Sequence, residues 1–424
     1  MLSLTSITLA TSLIAATHAV VPLGNPLAAG RTHSLFIANP VTNPMIVPPF
    51  TPQNIVRGMG DQYHGLGSIP APGNTYEEQH YLPHTVGCRY LSTPLHVADY
   101  PLALVVQVAA GLRHSVALRA NGDVVTFGRN TDGQLGYADG DDFNCPSYFS
   151  DPVPMNAPFT RWAPVWAVAT GDVATYALHG HVQGYSVIRA WGYHTTLGTG
   201  KSHLPPPATP DCVRTELYPL GSCLYPVKSV AAGEMHGVAV TVDGRVHTWG
   251  DNGPGVLGQL IPPGAHRDFA TPVPGIDHVA SVAASKLITI ALKEDGTVWC
   301  WGQFNFESSI QLSSCGPTPK QVPNISGVTS IAAGIGHALA ITSDGHVWGW
   351  GDNQSGTVGD PTVSTTLSPV LVHVPGFAVA IAAGEAHSLA RTADGKTWAW
   401  GANYGGSLGD GTSTKRFSPV LVKP

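Results

Sequence analysis

Charge is scarce in this sequence. Its 424 residues include 21 Lys and Arg against 27 Asp and Glu, only 11% together, for a formal net charge of −6. The cations are scattered and form no basic tract. Nucleic acid and anionic membrane surfaces need clustered Lys and Arg to neutralise phosphate, so neither is an expected partner. Long apolar runs are missing too. Beyond the N-terminus the longest lies near Leu102–Ala110, too short to span a bilayer as a helix. No C-x-x-C, no H-E-x-x-H and no complete phosphate-cradling G-x-x-x-x-G-K-[ST] occurs, and the strings that spell G-x-G-x-x-G (Gly253–Gly258) and G-x-S-x-G (Gly405–Gly409) are Gly-rich exits of the repeat described below, not strand-to-helix turns. Positive evidence for thiolate metal sites, zincin or serine-hydrolase chemistry and nucleotide binding is therefore absent, and no metal or cofactor is expected.

Glycine and proline are abundant, at 49 and 36 residues, and hydrophobic residues make up 43%. That balance suits many short strands joined by turns and does not suit helices. Residues 1–19 have the pattern of a secretory signal. Leu9, Leu13 and Ile14 lie in an uncharged apolar run, and Thr17-His18-Ala19 places small residues where a signal peptidase reads. Cleavage is expected after Ala19, leaving residues 20–424 as one soluble domain. The competing reading is a buried apolar strand, since only the Met1 amine is positive ahead of the run.

Six cysteines in a secreted chain favour disulfides. Cys212 and Cys223 share one Pro-rich insertion, and Cys300 and Cys315 flank another. Cys88 and Cys145 are left by elimination. Asn324-Ile325-Ser326 and Asn353-Gln354-Ser355 are glycosylation sequons.

One unit recurs seven times. Its plainest copy is Ile381 to Asp410, IAAGEAHSLARTADGKTWAWGANYGGSLGD. The repeat cores fall near residues 28–67, 108–136, 168–198, 230–258, 282–302, 331–359 and 381–410. Each reads as two short strands, and five of the seven turn on an Asn-Gly or Asp-Gly step, at Asn121-Gly122, Asp243-Gly244, Asp295-Gly296, Asp344-Gly345 and Asp394-Gly395. Such a step predicts a two-residue type I′ hairpin, with positive φ at both central residues. Period-two alternation in the sixth copy groups Leu339, Ile341, Trp348 and Trp350 as a large face, set over a small face of the next unit. A lone hairpin buries neither face, so the units must stack.

The pattern A-A-G-x-x-H-S, then D-G, then W-G-x-N-x-x-G-Q-L-G resembles the regulator of chromosome condensation family, over nearly the whole chain after residue 19. Asp rather than Gly would follow the Trp in a WD-type repeat. The resemblance implies an all-β fold, a seven-bladed β-propeller with four-stranded blades. It also implies closure by pairing of the N- and C-terminal strands, with Ser418–Val422 completing the blade begun by Ala28–Leu35. The family's namesake is a nuclear nucleotide-exchange factor acting on chromatin. This chain departs from it in its signal-like start, its lack of a basic tail and its long Pro-rich insertions. Secreted bacterial members, one of which inhibits β-lactamases through one face of the ring, are the nearer type by compartment.

His33, His114, His236, His337 and His387 recur at one repeat position. Repetition places them in separate blades, so each is expected to bond backbone near the Gly turn of its own blade. Glu234/His236 and Glu385/His387 read as repeated strand pairs. His179-Gly180-His181 with His194 offers a zinc or copper set, against a loose turn in a degenerate blade. Asp139, Asp141 and Asp142 lack calcium-loop spacing and read as a solvated acidic loop. No catalytic, cofactor or metal residue is assigned. The expected function is protein binding or inhibition by a secreted, monomeric propeller, through one face. Its surface would come from the insertions Ser68–Leu104, Tyr137–Trp166, Thr199–Lys228 and Gln303–Val328. A hydrolase or lyase with an axial site is the alternative, and exchange on a small GTPase a weaker one.

Overall fold

A computed structural model describes residues 26–30, 33–38, 55–61, 90–96, 105–129, 132–136, 150–154, 164–180, 185–200, 210–216, 221–262, 264–304 and 315–423. These residues form seven four-stranded antiparallel sheets, each made of four consecutive strands. The blades run Leu27–His96, Val105–Pro154, Val165–Cys212, Val227–Pro272, Val279–Gln321, Val328–Val372 and Ala378–Leu421. The first strand of every blade reaches the axis, and the fourth is outermost. Antiparallel order gives the ring two ends. Connections from first to second and third to fourth strands lie at one, here called the mouth end. Second-to-third turns and the crossovers between blades lie at the other, the turn end.

The Asp-Gly step makes the hairpin, with a different turn from the expected one. Only the glycine has positive φ, at +82° for Gly244 and +83° for Gly395. The Gly244 amide donates to the Thr241 carbonyl at 2.8 Å, and the Thr241 amide donates to the Arg245 carbonyl at 2.9 Å. This is a type I turn followed by a left-handed glycine, the three-residue loop rather than type I′. Asp fits because its side chain serves the loop: Asp394 Oδ1 accepts from the Thr392 hydroxyl at 2.5 Å.

Register corrects the expected faces. Ala338 pairs with Trp350, Ala340 with Trp348, Leu339 with Gly349 and Ile341 with Val347. Directly opposed residues share a face, so each face mixes a small strand with a large one. Ala338, Ala340 and Trp350 pack against Ile288, Ile290 and Leu292 of blade five. Leu339, Ile341 and Val347 pack against Ile381, Ala390 and Trp400 of blade seven. Trp191, Trp249, Trp301, Trp350 and Trp400 are fully buried in these interfaces.

The ring closes without exchange of terminal strands. Arg416–Leu421 pairs with Thr397–Gly401 in blade seven, and blade one supplies its own first strand, Leu27–Ala29. Blade one has no vacant position for Ser418–Val422. The termini still meet by packing, with Val422 in the apolar cluster of Leu27, Phe36 and Met59.

Both local disulfides are present, Cys212–Cys223 and Cys300–Cys315. Cys88, Cys145 and residues 1–19 lie outside the described residues. Among the described residues no helix is long and apolar enough to cross a membrane.

Candidate functional site at the axial mouth

The A-A-G ends of the first strands surround an axial cavity of about 100 Å³. Its narrowness follows from glycine. A Cβ built on Gly111 would lie 2.3 Å from the Gly171 carbonyl oxygen of the next blade, and one on Gly384 would lie 2.5 Å from that of Gly30. Neighbouring backbones touch where any other residue would carry a side chain.

Beneath these glycines the repeated histidines form a relay between blades, not bonds to their own turns. The glycine of each turn does bond the histidine position of its own blade, but through backbone, as in Gly111 N–H to the His114 carbonyl at 2.9 Å. Blades that lack histidine keep that bond, as with Gly171 to Ala174. The imidazoles reach forward instead. His33 Nε2 lies 3.0 Å from Ser115 Oγ, His114 Nε2 2.9 Å from Thr175 Oγ1, and His236 Nε2 3.0 Å from Thr289 Oγ1. His337 Nε2 is 2.8 Å from Ser388 Oγ, and His387 Nε2 is 2.7 Å from Ser34 Oγ across the closing seam. Each of four hydroxyls donates onward to a carbonyl of the blade before it: Ser34 to Ser407, Thr175 to Gln134, Thr289 to Val256 and Ser388 to Thr357. The histidine must therefore donate from Nε2. Burial holds His114, His236 and His337 down to about 3, and His387 to about 4. Imidazoles this buried stay neutral near pH 7 and are poor proton shuttles there.

The two gaps in the relay are matched. Blade three has Ala174, and Gly237 stands at the acceptor position of blade four, one residue after His236. Blade five has Ile288, and Ala338 faces it from blade six. Loss of the donor goes with loss of the acceptor, which avoids a buried unpaired polar group. This signal was in the sequence, one residue after each histidine, and reading blades singly missed it. Ser388→Ala should cost about 1–3 kcal/mol by stranding the His337 Nε2–H. The His337→Ile/Ser388→Ala double variant, which copies the Ile288–Ala338 pair, should recover most of that loss. The Thr357 carbonyl keeps its bond from Trp400 Nε1 at 2.8 Å in either case. Strictly additive costs in a double-mutant cycle by urea unfolding would refute the relay.

The other candidate constellations do not assemble. Glu234 lines the mouth and pairs with Lys286 at 2.6 Å, while His236 is buried below it, so the two do not act as a pair. Glu385 and His387 divide in the same way. His179 is buried near the turn end, with Nδ1 2.6 Å from the Gly180 carbonyl, whereas His194 follows Gly192 at the mouth end of the same blade. His181, Asp139, Asp141 and Asp142 lie outside the described residues. Among the described residues no three His, Cys, Asp or Glu side chains gather as a metal-binding group.

What varies around the mouth is the third-to-fourth connection. Residues 62–89, 129–149 and 193–210 of blades one to three are longer than 252–265, 303–315, 353–364 and 402–415 of blades four to seven. Three of the four expected insertions are thus long mouth-end connections, each followed by the outer strand of its blade. The fourth, Gln303–Val328, is of ordinary length and includes the strand Gly316–Gln321.

A family model described as RCC1-like domain matches residues 55–424. The chain belongs to the RCC1-like domain family. It is 30% identical over 207 residues to the ultraviolet-B receptor UVR8 of Arabidopsis thaliana, which covers 48% of this chain and 42% of that protein. It is 28% identical over 218 residues to protein pim1 of Schizosaccharomyces pombe, covering 47% and 37%. The matched part of this RCC1-like chain thus spans less than half the length of these curated relatives. Among solved structures, Prp20p of Saccharomyces cerevisiae, described with its binding to Gsp1p and histones, superposes with a TM-score of 0.66. Identity is 19%, over 94% of this chain and 88% of that one, a likeness of fold. Yeast RCC1 (Prp20) in a complex with Kap60 also gives 0.66, at 22% identity over 79% and 78%.

Proposed function

We propose that this RCC1-like chain is a secreted, non-enzymatic propeller that binds or inhibits a protein partner at the mouth end of blades one to three. The carrying observation is the concentration of long third-to-fourth connections on three consecutive blades at one end of a rigid ring. Variable loops on a fixed scaffold are where recognition resides in such folds. The axial cavity, about 100 Å³, is smaller than ordinary small-molecule sites. The histidines that an axial enzyme would use are committed to the relay. Two disulfides suit an oxidising compartment, in agreement with the signal-like N-terminus. Relatives' partners, such as the Gsp1p and histones of Prp20p, favour protein as the class of partner without naming this one.

The test is recovery of the tagged full chain from culture medium, followed by identification of stoichiometric co-purifying protein. A parallel variant would carry residues 353–364 of blade six in place of each long connection, with its melting curve recorded to show an intact ring. Loss of the partner from a folded variant is expected. A partner retained by that variant would defeat the assignment of the surface. Turnover of a substrate, or nucleotide exchange on a GTPase, by the isolated protein would defeat the non-enzymatic reading.

A further inference from the structure

The two sequons have opposite structural fates. Asn353 is 1% exposed. Its Nδ2 donates to the carbonyls of Asp360 at 2.8 Å and Val363 at 2.6 Å, and its Oδ1 accepts from the Val358 amide at 2.9 Å. Asn252 and Asn403 make equivalent bonds in blades four and seven, so Asn353 is a repeat residue that pins its third-to-fourth connection. Both of its amide protons are used, and a sugar on Nδ2 is incompatible with the folded blade.

Asn324 differs on every count. It lies at the turn end, between the outer strand of blade five, Gly316–Gln321, and the first strand of blade six, Val328–Ala333. It is exposed, as is Ser326, and its side chain makes no hydrogen bond among the described residues. Its φ of +60° is a left-handed conformation that Asn tolerates better than most residues. Asn324, Ile325 and Ser326 border an open hollow of about 490 Å³ whose other wall is Thr342, Ser343, Asp344 and Trp348. An aromatic ring beside hydroxyls and a carboxylate gives a sugar ring both an apolar face and hydrogen-bond partners.

We propose that Asn324, and not Asn353, is an N-glycosylation site, with the glycan seated at the turn end over this hollow. The proposal rests on the reading that the chain enters a secretory pathway. In the transfer, Asn324 Nδ2 displaces a lipid diphosphate from the anomeric carbon of a diphosphate-activated oligosaccharide. The N–C bond forms, the C–O bond breaks with its electron pair leaving on the diphosphate, and the amide gives up one proton. The sugar then covers the end of the ring away from the mouth, leaving the proposed binding end bare.

The full chain would be expressed in a glycosylating eukaryotic host in two forms, one with its own N-terminus and one with a strong foreign secretion leader fused in front. The expected result in the medium is a single mobility step removed by peptide-N-glycosidase, with the mass of the deglycosylated peptide marking Asn324. Ser326→Ala should abolish the step while keeping the Asn324 backbone, and Ser355→Ala should leave it intact. Secreted protein unmodified at Asn324, modified at Asn353, or still shifted in Ser326→Ala would overturn the assignment. Failure of only the own-N-terminus form to reach the medium would overturn the secretion reading, while the leader-fused form still decides the site.

Discussion

Stability of the ring should fall steeply as pH drops from about 6.5 toward 4. The cause is the relay. His114, His236 and His337 titrate near 3 in the folded chain and His387 near 4, all lowered by burial. An unfolded histidine titrates near 6.5, as an unperturbed side chain. Above that pH both states are neutral and the four groups add no pH dependence. Below it the unfolded chain binds protons that the folded chain refuses, so acid favours unfolding. Each group contributes up to about 1.4 kcal/mol per pH unit, and four together about 5 kcal/mol per unit. One or two pH units therefore rival the whole stability of a typical domain. Geometry supports the direction. Nε2 already donates to a hydroxyl, so the added proton must go to Nδ1, and Nδ1 of His114 and His337 has no hydrogen-bond partner among the described residues. Paired carboxylates such as Asp394, held to about 2 by Lys396 and Thr392, lose stability in the same direction but at lower pH. Urea midpoints measured from pH 7.5 to 4.5 should show the fall, with a shallower slope in His337→Ile/Ser388→Ala. A midpoint unchanged between pH 7 and 5 would show that the histidines are not buried as neutral donors.

The fold was legible because each blade repeats its own local signals, and those signals act over a few residues. The Asp-Gly steps, the Trp-Gly positions and the count of seven all became blades. What was misread depends on relations between strands or between blades. Alternation along one strand assigns faces correctly within it. It cannot say that Ala338 stands opposite Trp350, which is set by the one-residue difference between a type I turn with a left-handed glycine and a type I′ turn. The closing strand was misplaced for a related reason. The sequence repeat starts at A-A-G-x-x-H, at the end of a first strand, so its units run out of step with the sheets. The candidate site was legible only in outline. Unequal connections are visible as lengths, and Gln303–Val328 looked like an insertion because its composition, not its length, departs from the repeat. The histidine partners were invisible within any one unit because every acceptor belongs to the next blade around the ring.

Gly384→Ala should cost about 3–5 kcal/mol, the range of severe overpacking and backbone strain. The added methyl would sit 2.5 Å from the Gly30 carbonyl oxygen and 2.7 Å from His387 Cε1. Neither neighbour can yield cheaply. The His387 ring is held by Ser34 at 2.7 Å, and the Gly30 amide is bound to the His33 carbonyl at 2.9 Å. The position is also the seam between blades seven and one, where among the described residues packing and hydrogen bonds hold the ring shut. Moving the Gly384 strand outward would loosen the His387–Ser34 bond and the bond from Arg391 Nη1 to the Ile37 carbonyl together. Blade five shows when the restriction relaxes. Ser285 replaces the glycine there, and Ile288 replaces the histidine whose imidazole lies against the equivalent glycine of blades one, two, four, six and seven. Blade five thus admits a Cβ where the imidazole is gone, whereas in blade three, where Ala174 also removes it, a Cβ on Gly171 would still meet the Gly233 carbonyl oxygen at 2.3 Å, so the axis alone can demand glycine. Gly253→Ala is the control, because a Cβ there meets nothing within 4 Å, and it should change stability by less than about 0.5 kcal/mol. Matching urea midpoints for Gly384→Ala and Gly253→Ala would mean that the blades do not meet through their glycine backbones at the axis.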